Sequence, residues 1–154
     1  MAESTADRIR SALAEAPARR YPAVLVVLPP NMEEGVAVPD DVHGGLACLD
    51  CVAAAQDDSA FLRASYLWRT FLDHLREQAA TRGCLFVRDV DAVVARWPQP
   101  DRDVFFRALV TLECRRPGSS ESALILLCSH LAAATGLRPR THGQAVVLDL
   151  TVEE

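Results

Sequence analysis

Val24-Leu25-Val26-Val27-Leu28-Pro29-Pro30-Asn31-Met32-Glu33-Glu34-Gly35 opens the main body of this 154-residue chain. Its first five residues are apolar at every position, so an extended strand here has apolar neighbours on both faces. The double proline ends the run, because proline has no N–H to give to a strand ladder. Reading outward, five short runs qualify as strands: Ala23–Leu28, Leu46–Val52, Cys84–Val90, Ala123–Cys128 and Ala145–Leu150. Each opens on four or more consecutive apolar residues rather than an alternating pattern. That is the pattern of a parallel sheet covered by helices on both sides.

Helical periodicity fills the intervals. Ser4 or Thr5 can cap an opening helix that runs to Ala16, with Asp7 in its first turn and Ile9, Leu13 and Ala16 on one face; Pro17 ends it. Asp58 or Ser59 caps a long helix expected to reach Ala80, striped by Phe61, Ser65, Trp68, Leu72 and Leu75 and flanked by Leu67 and Phe71. Asp101 caps another to about Glu113, aligning Phe105, Ala108 and Leu112, and a short helix is expected between Ser129 and Gly136. Strands alternating with helices predict one α/β domain: a three-layer fold with a parallel sheet of about five strands and right-handed crossovers. The expected division is an N-terminal helix over residues 1–20 and a core over residues 21–154.

Composition narrows the chemistry. Half of the residues are hydrophobic, which excludes a disordered chain. No apolar run is long enough to span a membrane and Met1–Arg10 lacks the pattern of a signal peptide, so a cytoplasmic location is expected. The net charge is −5, and the arginine pairs Arg19-Arg20 and Arg115-Arg116 are too short to outweigh it, which argues against direct nucleic-acid binding. All 16 basic residues are arginine. Chemistry that needs a lysine amine, including Schiff bases, the P-loop lysine and the kinase lysine, is therefore excluded.

Five cysteines, Cys48, Cys51, Cys84, Cys114 and Cys128, lie in apolar segments and are expected as reduced, buried thiols. Cys48-Leu49-Asp50-Cys51 has redox or zinc spacing, but within a strand the two thiols would point to opposite faces. No second pair of Cys or His supplies the remaining zinc ligands, and His43, His74, His130 and His142 are scattered, with His74 expected to face outward. No metal site is expected.

Two segments together resemble the core of AAA+ ATPases. The stretch from Val24 to Gly35 resembles the first strand and Walker A loop of that family, Gly-Pro-Pro-Gly-x-Gly-Lys-Thr, with only Pro29-Pro30 retained. Leu28, Asn31 and Glu33 stand at the glycine positions, Glu34 at the lysine and Gly35 at the magnesium-binding hydroxyl. Cys84-Leu85-Phe86-Val87-Arg88-Asp89-Val90-Asp91-Ala92-Val93 resembles the Walker B segment, Leu-Phe-Ile-Asp-Glu-Ile-Asp-Ala-Leu. Eight of the nine positions from Leu85 to Val93 keep residue character. Arg88 replaces the metal-associated Asp, and Asp89 takes the place of the glutamate that polarises water.

Further along, Ser129 and His130 resemble the Thr-Asn that closes the sensor strand, and Leu137-Arg138-Pro139-Arg140 loosely resembles the region supplying arginine fingers. Thr151 to Glu154 resembles the segment that leads into the helical lid, which is not expected within the chain.

The resemblance implies a P-loop NTPase-like fold with an eroded site. Side chains at glycine positions obstruct the backbone nest that closes around phosphate. Glu34 in place of lysine reverses the nearest charge, and each unit-charge pair is worth about 4 kcal/mol at about 4 Å and an effective dielectric near 20. Pro39, Gly44 and Gly45 shorten the helix that would offer its N-terminus to the anion. A cation at Arg88 opposes Mg²⁺ and is free to pair with Asp89 or Glu34.

The expected function is that of a catalytically inactive AAA+-like subunit without a cofactor. It would serve as a scaffold, adaptor or regulatory partner for other protein subunits, including an active AAA+ ATPase whose γ-phosphate Arg138 or Arg140 would reach in trans. Homo- and hetero-oligomers are both compatible with this reading. The alternatives are a nucleotide-binding or weakly active ATPase using ATP and Mg²⁺ in a non-standard site, or an accessory protein of a phage-defence system. A thiol or metal protein built on Cys48 and Cys51 with His43 or His130 is disfavoured by the missing ligands.

Overall fold

The computed structural model describes residues 4–15, 18, 20–118, 121–131 and 146–151. The predicted helix between Ser129 and Gly136, and Arg138, Arg140 and His142, lie outside the described residues. Strands β1 (Ala23–Val27), β2 (Ala47–Asp50), β3 (Cys84–Arg88), β4 (Leu124–Ser129) and β5 (Val146–Asp149) form one sheet in the order β2-β3-β4-β1-β5. Every pairing is parallel. The continuous apolar runs explain this arrangement: β1 and β4 are buried at every residue, as strands covered on both faces must be. β1 therefore sits between two strands drawn from much later in the sequence.

The pleat sorts the sheet residues into two cores. Leu25, Val27, Leu85, Val87, Ile125 and Leu127 face the larger one. It is closed by α4 (Cys51–Asp57), α5 (Ser59–Ala64), α6 (Trp68–Arg82), α7 (Asp91–Val94) and α8 (Gln99–Leu109). Phe71, Trp97 and Phe105 stack among themselves at its centre, with ring centroids 5.3–5.7 Å apart. Val24, Val26, Phe86, Leu126 and Cys128 face a smaller core under α1 (Thr5–Glu15), α2 (Glu34–Ala37) and α3 (Asp40–His43). α1 is capped as expected: the Ser4 hydroxyl oxygen accepts the Asp7 N–H at 3.1 Å. It buries Ile9 and Ala12.

Several boundaries differ from the sequence expectation. The run Leu46–Val52 is not all strand. β2 stops at Asp50, whose carboxylate accepts the N–H groups of Val52 and Ala53 and so starts α4 at Cys51. Cys48 is consequently exposed on an edge strand, not buried, while Cys51, Cys114 and Cys128 are buried.

The long helix after Asp58 is broken. The Asp58 carboxylate caps α5, but α5 ends at Ala64 and α6 begins at Trp68. The Thr70 hydroxyl donates to the Ala64 carbonyl, and the Trp97 indole N–H donates to Ser65 O, so the peptide groups between the helices find partners outside a continuous helix. His74 packs edge-on against Phe61, with centroids 5.8 Å apart, instead of facing solvent. α8 starts at Gln99, after an extended Pro98, and not at Asp101.

Among the described members of the arginine pairs, Arg20 is ion-paired with Glu113, and Arg116 lies 3.6 Å from Glu121. Among the described residues no helix is long and apolar enough to cross a membrane.

Candidate functional site

An all-parallel sheet brings every strand's carboxyl end to one edge, where the crossover loops meet. The loops after β1, β3 and β4 are joined there by named hydrogen bonds. After β1, the Leu28 N–H donates to Ser129 O at 2.8 Å and the Met32 N–H turns back to Pro29 O at 3.1 Å. Pro30, Asn31 and Glu33 are exposed, and Pro29 is half-buried. A long helix does not follow; the segment makes only the single turns α2 and α3. Gly44 is required after α3, because a Cβ there would lie 2.8 Å from Asp40 O.

Glu34 is half-buried, and its carboxylate accepts the Asp89 N–H at 3.2 Å. Burial is the largest cause raising its pKa to about 7; neighbouring Asp89 and Asp91 push the same way, and the Asp89 N–H and Arg88 oppose them. Asp89 holds a left-handed backbone, φ 55, which Asp tolerates better than most residues.

The expected pairing of Arg88 does not form. Among the described residues no ion pair joins Arg88 to Asp89 or Glu34. Arg88 is exposed at the end of β3, and its field falls on Cys48 of the neighbouring edge strand as well as on Glu34. The place beside Glu34 is taken by a backbone donor, which needs no desolvated guanidinium.

Asp91 is the residue that sequence reasoning missed as a site member. Its carboxylate accepts the Ser129 hydroxyl at 2.7 Å and the His130 N–H at 2.8 Å, locking the end of β4 to the first turn of α7. The Ser129 oxygen in turn accepts the Leu131 N–H. The His130 ring Nε2–H donates to Met32 O at 2.6 Å, and Nδ1 lies 3.7 Å from Asp91. The available signal was the Asp89-Val90-Asp91 spacing, in which a carboxylate three residues past a strand end stands at a helix start.

These loops enclose a cleft of about 140 Å³ lined by Leu28, Glu34, Val52, Asp89, Asp91, Ala92, Cys128 and His130. Its charged side chains are three carboxylates, with His130 as the titratable base among the lining residues.

Among the described residues no three His, Cys, Asp or Glu side chains are grouped to hold a metal ion. The thiols of Cys48, Cys51, Cys114 and Cys128 are raised in pKa, not activated. Burial pushes Cys51 up to about 12, and it raises Cys48 and Cys128 as well. No protein-family model matches the chain, and no curated protein matches it.

Proposed function

We propose that this chain is an AAA+-like domain that does not hydrolyse nucleotide and acts by binding other protein subunits. One observation carries the reading: at the position where the resemblance calls for a phosphate-gripping lysine, Glu34 presents a carboxylate already engaged with the Asp89 N–H. A triphosphate entering this cleft would meet Glu34, Asp89 and Asp91. Asp89 and Asp91 bring like charges, each contact costing about 4 kcal/mol at about 4 Å and an effective dielectric near 20. Glu34, its pKa raised to about 7, supplies no cation where the lysine would stand. The cleft of about 140 Å³ is also smaller than the roughly 300–1,000 Å³ typical of small-molecule sites.

The layout is compatible with a P-loop-like fold. β4, whose Ser129-His130 end resembles the sensor strand, lies between β1 and β3, so that the three relevant loops share one edge. A trans-acting role for Arg138 or Arg140 belongs to the same proposal and concerns residues outside those described.

Calorimetric titration of ATP into the purified chain, with and without Mg²⁺, tests the nucleotide part alongside a phosphate-release assay. The expected result is no saturable heat and no release above buffer. Saturable, Mg²⁺-dependent binding with turnover that disappears in Asp89→Asn would overturn it.

A further inference from the structure

The corner between α5 and α6 exposes three large apolar side chains: Tyr66 is 76% exposed, Leu67 60% and Leu62 36%. These residues stand on a fixed turn. The Trp97 indole holds the Ser65 carbonyl at 3.0 Å, and the Thr70 hydroxyl reaches Ala64 O at 2.6 Å and Leu67 O at 3.1 Å. Between them lies a cleft of about 170 Å³, lined by Leu62, Ser65, Tyr66, Arg96 and Trp97. A cavity of about 150 Å³ accepts a benzene ring, so this cleft suits one large apolar side chain.

Charge identifies the occupant. Arg96 is the one charged residue that lines the cleft, no Asp or Glu lines it, and Arg63 and Arg69 stand on the two helices that meet at the corner, in a chain of net charge −5. None of the three arginines has an ion pair among the described residues. Arg69 stacks over the Trp68 ring at 5.5 Å. Of the flanking carboxylates, Asp58 caps α5, Asp73 pairs with Arg76 and Asp91 holds Ser129, while Asp101 stands in the first turn of α8.

A two-fold contact with a second copy would set like arginines against one another. A nucleic-acid strand would find one open ring here, Tyr66, since Trp97 is 5% exposed. A single ring on a chain of net charge −5 falls short of the stacked aromatics and basic groove that single-strand binding uses.

We infer that the α5–α6 corner docks an acidic linear segment of a partner protein, with one Leu, Phe or Trp of that segment seated between Tyr66 and Trp97 and its carboxylates on Arg63, Arg69 and Arg96. This rests on the partner-binding half of the function proposed above. The corner cleft shares no lining residue with the nucleotide cleft, so the two tests fail independently.

Panning a random 12-residue phage-displayed library against the intact chain tests it. Enriched peptides are expected to carry Asp or Glu around a single large apolar residue. A synthetic copy of the leading peptide, followed by fluorescence anisotropy, is expected to bind about tenfold more weakly to Tyr66→Ala and to Arg96→Glu. Binding should also weaken as NaCl rises. Both positions are exposed, and unchanged melting temperatures will show that the variants fold.

Four results would each overturn the inference: no enrichment, enrichment of basic or uncharged peptides, binding indifferent to both substitutions, or a concentration-dependent dimer lost in Tyr66→Ala. Tighter binding of a fluorescent oligodeoxythymidine than of the peptide at this corner would do so as well.

Discussion

Glu34 is a carboxyl group that the fold makes reluctant to ionise. Its ordinary value is 4.5 and its folded value about 7. Between those pH values the folded chain keeps a proton that the unfolded chain has released, so this group's contribution to stability falls as pH rises from about 4.5 to 7 and is level above. Glu34→Gln keeps an oxygen to accept the Asp89 N–H and cannot ionise. It should match the wild type near pH 4.5 and exceed it by about 1 kcal/mol at pH 8, after allowance for partial exposure. Urea unfolding of both proteins across this range checks the difference, and parallel curves would contradict it. The presence of an acid at this position is plain in the sequence, but its partner is not. Choosing between Arg88 and a backbone N–H depended on the left-handed turn at Asp89, and no residue type in Arg88-Asp89-Val90 dictates that turn.

At the scale of elements, continuous apolar runs located all five strands, because burial on both faces leaves little room for polar residues. Ends were harder to read. β2 and α4 meet inside Leu46–Val52, where an apolar run and a helix share residues and only Asp50 marks the boundary. The break between α5 and α6 was invisible because the partner that stabilises it, Trp97, is distant in sequence.

The coupling of α7 to β4 through Asp91 is equally non-local, and it makes a clear prediction. Asp91→Ala leaves the fully buried Ser129 hydroxyl and the His130 N–H without their acceptor. It should cost about 2 kcal/mol in denaturant unfolding. Ser129→Ala should cost less, and the double variant less than the sum, because the two changes delete one shared bond. Additive losses would mean that the bond contributes nothing.

Across the whole molecule the two cores are unequal. Among the described residues five helices cover one face of the sheet, while α1 and two single turns cover the other. Such a thin layer depends on few anchors, and Ile9, fully buried beneath α1, is the largest that α1 supplies. Ile9→Ala should lower unfolding free energy by about 2–4 kcal/mol; a loss below about 1 kcal/mol would show that α1 is not integral to the fold. The strand order carries a consequence for synthesis. β1 is translated before the other four strands, yet both of its neighbours, β4 and β5, come roughly 100 residues later. At about 5–20 residues per second the ribosome needs about 5–20 s to deliver β4. For that interval this wholly apolar strand has no native partner, so a holding chaperone is expected to raise the yield of folded protein more than it speeds folding.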